Sequence, residues 1–253
     1  MGSKTIKGYP IPADKNPNNL PEELIFPWGP ASTLVTWAER VNVPGVRENV
    51  DIIHGMLGNP NNVPPITSAW RTAVQELTSS IDGSDHSVGL QTAKENLTGR
   101  WNGPAREAAV SYVERIVKTT EDTRKILADI TGKIDAFRSK IVNNYSTAIG
   151  HIANYATIIL QYAGDTLAVV EGALTFDFDL AGQTKAIVKA LKDFITETTA
   201  VIKDVITYRD NLLTGLEEIR TLAAQIAVPP EIAPVALDNG SWKPRKPTGP
   251  PVG

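Results

Sequence analysis

The 253-residue sequence contains no cysteine. This absence excludes a disulfide framework, a thiolate metal site and a cysteine nucleophile. The sequence also has no excess of charge of one sign, because 25 Lys and Arg residues nearly match 28 Asp and Glu residues, for a formal net charge of −3. Since phosphate backbones require a basic surface, nucleic acid is not an expected partner.

The start of the chain lacks the pattern of a secretory signal peptide. Such a signal needs a basic start followed by an apolar run of about seven to fifteen residues, whereas Met1 to Leu20 is polar and rich in Pro and Asn. We therefore expect that an exported form leaves without a cleavable signal peptide, either folded or through a dedicated machine.

Patterns for catalysis and metal binding are missing as well. His54, His86 and His151 fall on separate predicted helices without Asp or Glu at metal-ligand spacing, so neither a zinc nor a di-iron site is expected. Asp177 and Asp179 flank an aromatic residue at a predicted helix start, where carboxylates act as caps more often than as acid–base catalysts. We predict a non-enzymatic protein with no catalytic residues, metal or cofactor.

Proline residues mark both ends of the chain, and their spacing forbids continuous helix there. Residues 1–30 are predicted to form an extended arm that contacts the body through Ile25, Phe26 and Trp28. Residues 229–253 are predicted to form a mobile tail. A short basic cluster lies beside Trp242 in this tail: Lys243, Arg245 and Lys246.

Between these ends, residues 31–228 have the pattern of an all-α, elongated helical bundle. Four shorter helices are predicted first: Ser32–Val41, Val46–Leu57, Ser68–Ile81 and His86–Leu97. Ser32 is the predicted N-cap of the first helix. A cluster of prolines ends the region before the third helix: Pro60, Pro64 and Pro65.

Residues 105–228 carry the strongest structural signal, two long apolar series with steps of three and four residues. The first series is Leu127, Ile130, Ile134, Phe137, Ile141, Tyr145, Ala148, Ile152, Tyr155, Ile159 and Tyr162. The second is Leu191, Phe194, Thr198, Val201, Val205, Tyr208, Leu212, Gly215, Ile219, Leu222 and Ile226, with Thr198 and Gly215 imperfect. This spacing is typical of a coiled-coil seam.

A break at Gly172–Gly182, with Asp179 as N-cap, predicts that the two long helices fold back as an antiparallel coiled-coil hairpin. A helix over residues 105–170 would be about 100 Å long unless Gly132 or Gly150 bends it. The predicted shape is therefore elongated.

One segment, Ile141–Gly164, contains no Asp, Glu, Lys or Arg, which raises the alternative of a hairpin that inserts into a bilayer. Several polar residues interrupt it: Asn143, Asn144, His151, Asn154 and Gln161. Because a spanning helix needs about 20 predominantly apolar residues, the sequence favours a seam buried against the second long helix, with polar side chains outward.

The turn before the long helix reads Leu97-Thr98-Gly99-Arg100-Trp101-Asn102-Gly103-Pro104-Ala105. A helix with spaced apolar residues precedes this turn and an Ala-rich helix follows it, so residues 66–134 resemble the WXG helix-turn-helix hairpin. Gly103 allows the backbone to reverse, and Trp101 covers the end of the hairpin.

The resemblance to the WXG family, and to larger relatives such as the PPE proteins, implies export by the type VII secretion systems of actinobacteria and firmicutes. It also implies binding to a helical, possibly co-secreted partner. The usual Tyr-x-x-x-Asp/Glu export signal is missing, because Ile, Thr or Leu stands four residues after each candidate tyrosine. Tyr162 and Asp165 are only three residues apart, so they do not match the signal. A co-secreted partner is therefore expected to supply the signal, or the chain is not a type VII substrate.

The hypothesis is a secreted or surface-associated bacterial protein that binds a helical partner or itself. Two alternatives remain open. The same long hairpin suits a pore-forming or membrane-permeabilising toxin, and it also suits a structural rod of a phage or a secretion apparatus.

Overall fold

A computed structural model describes residues 8–85, 87–163, 181–230 and 243–244, and over these residues the chain is all-α. The helices are α1 Trp28–Arg40, α2 Val46–Met56, α3 Val63–Asp82, α4 Leu90–Arg100, α5 Pro104–Ala163 and α6 Ala181–Ala224. Short 3-10 turns lie at Glu22–Leu24 and Pro60–Asn62. Two strands of two residues each, β1 Trp101–Asn102 and β2 Lys243–Pro244, pair antiparallel.

Two helices begin earlier than the sequence predicts. Helix α1 starts at Trp28, so Ser32 lies inside it and is not its N-cap; Pro27 holds that position without a side-chain cap. Helix α3 starts at Val63 and includes Pro64 and Pro65, which were expected to lie before it. Because the first N–H groups of a helix have no acceptor within it, proline in the first turn costs no hydrogen bond.

Helix α4 begins at Leu90, later than predicted, because the connection from α3 is a tight closure. The backbones of Ser84 and Ser87 form an isolated bridge. A Cβ atom added at Gly89 would overlap backbone atoms of Gly83 and Asp82, so the closure requires glycine. His86, within this segment, lies outside the described residues.

Helix α5 continues without interruption through Gly132 and Gly150. Three predictions lie outside the described residues: the continuation to Val170, the break at Gly172–Gly182 and the N-cap at Asp179. Of the predicted tail, the structure describes residues 229–230 and β2. The first seven residues of the predicted arm lie outside the described residues.

The chain divides into two compact units. Unit 1 comprises residues 1–62 and 136–212, and unit 2 comprises residues 63–135 and 213–253. Each unit therefore contains a portion of α5 and a portion of α6.

Within unit 1, α5 and α6 run antiparallel. The ring of Phe137 stacks on Tyr208 at 6.1 Å between centroids, and Tyr155 meets Phe194 edge-on at 6.0 Å. The residue that is later in α5, Tyr155, therefore contacts the residue that is earlier in α6, Phe194. Eight predicted seam residues of this unit are buried: Tyr145, Ala148, Ile152, Tyr155, Ile159, Leu191, Phe194 and Thr198. Six others are only half-buried: Phe137, Ile141, Val201, Val205, Tyr208 and Leu212. Tyr162 is 44% exposed.

The described part of the N-terminal segment packs within unit 1. Phe26 is buried and lies 4.8 Å from Trp28, and both rings meet His54 edge-on. Tyr9, which the sequence did not single out, is buried beside the same rings. Arg47 Nη2 donates to the Gly8 carbonyl oxygen at 2.6 Å. Ile25 is half-buried.

Unit 2 contains fewer buried apolar side chains. Of its described residues, the buried hydrophobic ones are Ile81, Val117 and Ile219. The connected hydrophobic core found among the described residues belongs wholly to unit 1. None of the described helices combines the length and the hydrophobicity that a membrane-spanning segment needs.

Candidate interaction surface

The Trp101–Gly103 turn lies in unit 2, between two helix ends. Helix α4 closes with the Trp101 N–H donating to the Leu97 carbonyl oxygen. Trp101 is extended, with φ −122° and ψ 158°. Gly103 has φ +92°, a conformation that residues with a Cβ rarely adopt. Its carbonyl oxygen accepts from the N–H groups of Arg106 and Glu107, which starts α5.

The side chains at this turn are partly open to solvent. Trp101 is half-buried, whereas Asn102 and Gly103 are exposed. Lys94 Nζ lies 3.2 Å from Glu114 Oε1, so an ion pair links α4 to α5 beside the turn. The turn therefore presents a half-buried aromatic side chain next to two exposed residues at one end of a helix pair.

The helices that lead to the turn carry apolar stripes that are only half-buried. On α3 the stripe consists of Trp70, Val74 and Leu77, and on α4 it consists of Leu90, Ala93 and Leu97. Two further apolar side chains of this region are open to solvent, Ile66 at 50% and Val88 at 71% exposed. Amphipathic helices in a self-sufficient bundle bury such stripes in a core.

A cavity of about 350 Å³ lies between α3 and α5 in the same unit. Val74, Ala128 and Thr131 line it, and the Arg71 guanidinium hydrogen-bonds the Asp135 carboxylate at its rim. Gly132 also lines the cavity, and a Cβ added there would meet no atom within 4 Å. The space between α3 and α5 is thus not filled by the described side chains around it.

The segment that follows α6 contacts α5 through a hydrogen bond. Thr119 Oγ1 donates to the Ala227 carbonyl oxygen at 2.8 Å. Nearby, Lys118 Nζ lies 2.7 Å from Asp122 Oδ2, and this hydrogen bond lowers the pKa of the Asp122 carboxyl. Leu222, a predicted seam residue, is 55% exposed. The second seam therefore opens to solvent towards the end of α6.

The histidines are not brought together. His54 packs against Phe26 and Trp28, and His151 Nδ1 lies 2.9 Å from Glu197 Oε2. The described ranges contain no cluster of three or more His, Asp or Glu side chains placed to hold a metal ion. The carboxylates of Asp177 and Asp179 lie outside those ranges, as does Asp165 of the near-match to the export signal.

The charge-free segment of α5 has its apolar side inward in unit 1. Tyr145, Ile152 and Ile159 are buried, while Asn143 and Asn154 are exposed. Asn144 Nδ2 donates to Asp204 Oδ2 of α6 at 2.8 Å. Its polar residues thus face solvent or a polar partner.

Sequence reasoning missed one element of this surface, β2. Trp101 pairs with Pro244 and Asn102 pairs with Lys243, within the segment predicted to be a mobile tail. A strand of two residues has no alternating pattern to detect, and its Pro-rich surroundings predict no sheet. The only available signal was the extended conformation that proline favours.

No family model, curated protein or solved structure is similar enough to this chain to count as a match.

Proposed function

We propose that this protein is a secreted or surface-associated bacterial protein that acts by binding a helical protein partner, without enzymatic activity. One observation carries the proposal. In unit 2, the apolar side chains of the α3 and α4 stripes beside the Trp101 turn are only half-buried. A partner helix laid along these stripes would remove their apolar surface from water, as in helix-in-groove recognition.

The spacing of the apolar residues in each stripe suits contact with one partner helix. Trp70, Val74 and Leu77 follow steps of four and three residues, as do the apolar residues of α4. Exposed Ile66 extends the α3 stripe towards its N-terminal end. Charged groups at the margin, such as the Lys94–Glu114 pair, would set the orientation of the partner more than its affinity.

The Trp101-Asn102-Gly103 turn supports the narrower proposal of a WXG-like substrate of type VII secretion. It stands between two helices, and Gly103 has the positive φ that the reversal requires. Because the chain lacks the Tyr-x-x-x-Asp/Glu signal, the proposed partner is a co-secreted helical protein that supplies it.

A secretion experiment in the source organism tests this proposal. The protein is measured in culture filtrate and in cells, with and without the type VII secretion ATPase, and a cytoplasmic protein serves as the lysis marker. We expect the filtrate signal to disappear with the ATPase. An unchanged filtrate signal would leave Trp101 as an aromatic residue at a helix corner and would refute the secretion proposal.

A matched pair of variants then tests the turn. Trp101→Ala should lower secretion and partner binding at least tenfold, whereas Trp101→Phe, which keeps an apolar ring, should retain most of both. Circular dichroism of both variants controls for folding. Normal secretion of a folded Trp101→Ala protein would count against a role for the turn.

A further inference from the structure

The described residues contain one sheet, and it joins the Trp101 turn to the C-terminal segment. Strand β1, Trp101–Asn102, pairs antiparallel with β2, Lys243–Pro244. Both strands belong to unit 2. The turn is therefore occupied by an extended segment of the same chain.

The register and the chemistry of proline define which pair is hydrogen-bonded. Pro244 has no backbone N–H, so the Trp101–Pro244 pair is of the non-hydrogen-bonded kind. Since the two kinds alternate along an antiparallel ladder, Asn102 and Lys243 form the pair that exchanges N–H···O=C bonds.

Asn102 lies between two residues whose backbone groups are already hydrogen-bonded within the adjacent helices. The Trp101 N–H already closes α4 on Leu97, and the Gly103 carbonyl oxygen already starts α5. Asn102, between them, is extended and exposed, and in β1 its backbone groups face β2. An extended segment with a free N–H opposite Asn102 is the ligand that this short edge fits.

We propose that Trp101–Asn102 is a strand-addition site, and that the chain's own Lys243–Pro244 segment is its resident ligand. The hydrogen-bonded position of the site needs a residue with a backbone N–H, which Lys243 supplies, and the neighbouring position tolerates proline. A partner's extended segment can pair with the turn only after the tail leaves. This last step rests on the proposed function, whereas the tail–turn pairing does not.

Cysteine trapping tests the pairing directly, because the native chain contains no cysteine. The Cα atoms of a hydrogen-bonded antiparallel pair lie about 5.5 Å apart, within the range of roughly 4.4–6.8 Å that disulfides span. In the full chain, Asn102→Cys combined with Lys243→Cys should form an intramolecular disulfide under mild oxidation. The control combines Asn102→Cys with Thr248→Cys, five residues out of register, and should cross-link at least tenfold more slowly.

Two results would overturn the proposal at this stage. Equal rates for the two cysteine pairs would mean that no register is held. A disulfide-linked dimer as the main product would mean that the tail of a second copy, and not the same chain, occupies the site. Size-exclusion chromatography without reducing agent separates the linked dimer from the cross-linked monomer.

A peptide experiment tests whether the site accepts a ligand in trans. The probe is a fluorescent peptide of residues 239–248, measured by anisotropy against the full chain and its Lys243→Pro variant. This substitution removes the N–H opposite Asn102 and should release the tail. Because a tethered segment competes at an effective concentration of about millimolar, we expect the peptide to bind the variant at least tenfold more tightly than the wild type.

The matched control peptide carries N-methyl-lysine in place of Lys243, which keeps the side chain and removes only the N–H. It should bind the Lys243→Pro variant at least tenfold more weakly than the unmodified peptide. Equal binding of the two peptides, or equal binding to the variant and the wild type, would overturn the strand-addition site. If instead both tests succeed and the filtrate signal is unchanged without the type VII secretion ATPase, the tail–turn pairing stands and the secretion proposal fails.

Discussion

Asn49 Nδ2 lies 2.8 Å from Thr198 Oγ1, and this hydrogen bond joins α2 to α6 inside unit 1. Asn49 also donates to Thr199 Oγ1 at 3.2 Å and to the Ile195 carbonyl oxygen at 3.3 Å. Thr198 is fully buried, and its hydroxyl donates to the Phe194 carbonyl oxygen at 2.6 Å. Both buried polar side chains therefore have partners, as a low-dielectric interior requires.

Replacing Asn49 should destabilise unit 1. Asn49→Ala removes the amide and leaves Thr198 without its donor, so we expect a loss of about 1–3 kcal/mol in the free energy of unfolding. Asn143→Ala, on the exposed face of α5, is the control and should change it by less than about 0.5 kcal/mol. A double-mutant cycle with Thr198→Val, followed by chemical denaturation, should show coupling of at least about 0.5 kcal/mol. Additive effects would contradict a direct interaction.

The same pair shows what periodicity can and cannot predict. Steps of three and four residues predicted apolar series on α5 and α6, and in unit 1 several members of both series are buried. Thr198 was an imperfect member of the series, and its burial depends on Asn49, 149 residues away in the sequence. A local pattern contains no information about such a partner.

Gly215, the second imperfect position of the series, departs from the apolar pattern for a different reason. In unit 2, a Cβ atom added at Gly215 would lie 3.1 Å from Lys133 Nζ, so glycine leaves room for the Lys133 side chain. At the candidate site, the helix-turn-helix around Trp101 and Gly103 was predictable because capping and positive φ are local properties. The pairing of Asn102 with Lys243 was not, since it is long-range and brief.

Gly103 should be less tolerant of substitution than its neighbour Gly99. Gly103 has φ +92° with no atom within 4 Å of an added Cβ, so Gly103→Ala introduces backbone strain without a clash. We expect a loss of about 1–2 kcal/mol. Gly99→Ala, inside α4 and equally open, should be neutral or stabilising by up to about 1 kcal/mol. Thermal unfolding of both variants measures the difference, and equal melting temperatures would contradict the strained turn.

The two units should differ in hydrogen exchange. Unit 1 holds the connected hydrophobic core, whereas α3 and α4 of unit 2 have half-buried stripes. Because local opening is easier where few apolar contacts must break, amides of α3 and α4 should exchange at least tenfold faster than those of residues 145–159. Exchange followed by mass spectrometry, normalised to unstructured reference peptides, gives these rates. Uniform protection across both regions would show that the stripes of α3 and α4 are better packed than their exposure indicates.

If a helical partner covers these stripes, its addition should slow exchange in α3 and α4 and leave residues 145–159 unchanged. Slower exchange in both regions would instead indicate general stabilisation of the chain.

Alkaline pH should destabilise unit 1 through its buried tyrosines. Burial raises the pKa of Tyr145 from 10.0 to about 12. Burial, and then a hydrogen bond to a carboxylate, raises the pKa of Tyr9 and Tyr155 to about 12; the carboxylates are Asp51 and Glu197, respectively. In each case the folded state favours the neutral phenol. The stability that this provides is complete below pH 10 and is lost as the pH rises from 10 to 12.

Tyr145 allows the clearest test, since burial alone raises its pKa. Because one pKa unit corresponds to about 1.4 kcal/mol, ionisation of Tyr145 should remove roughly 2–3 kcal/mol of stability by pH 12. Tyr145→Phe cannot ionise, so its stability should fall less than that of the wild type between pH 10 and pH 12. Denaturant unfolding at several pH values measures this difference, with exposed Ser146→Ala as the control that should follow the wild type. A parallel loss in Tyr145→Phe and wild type would place the alkaline transition elsewhere in the molecule.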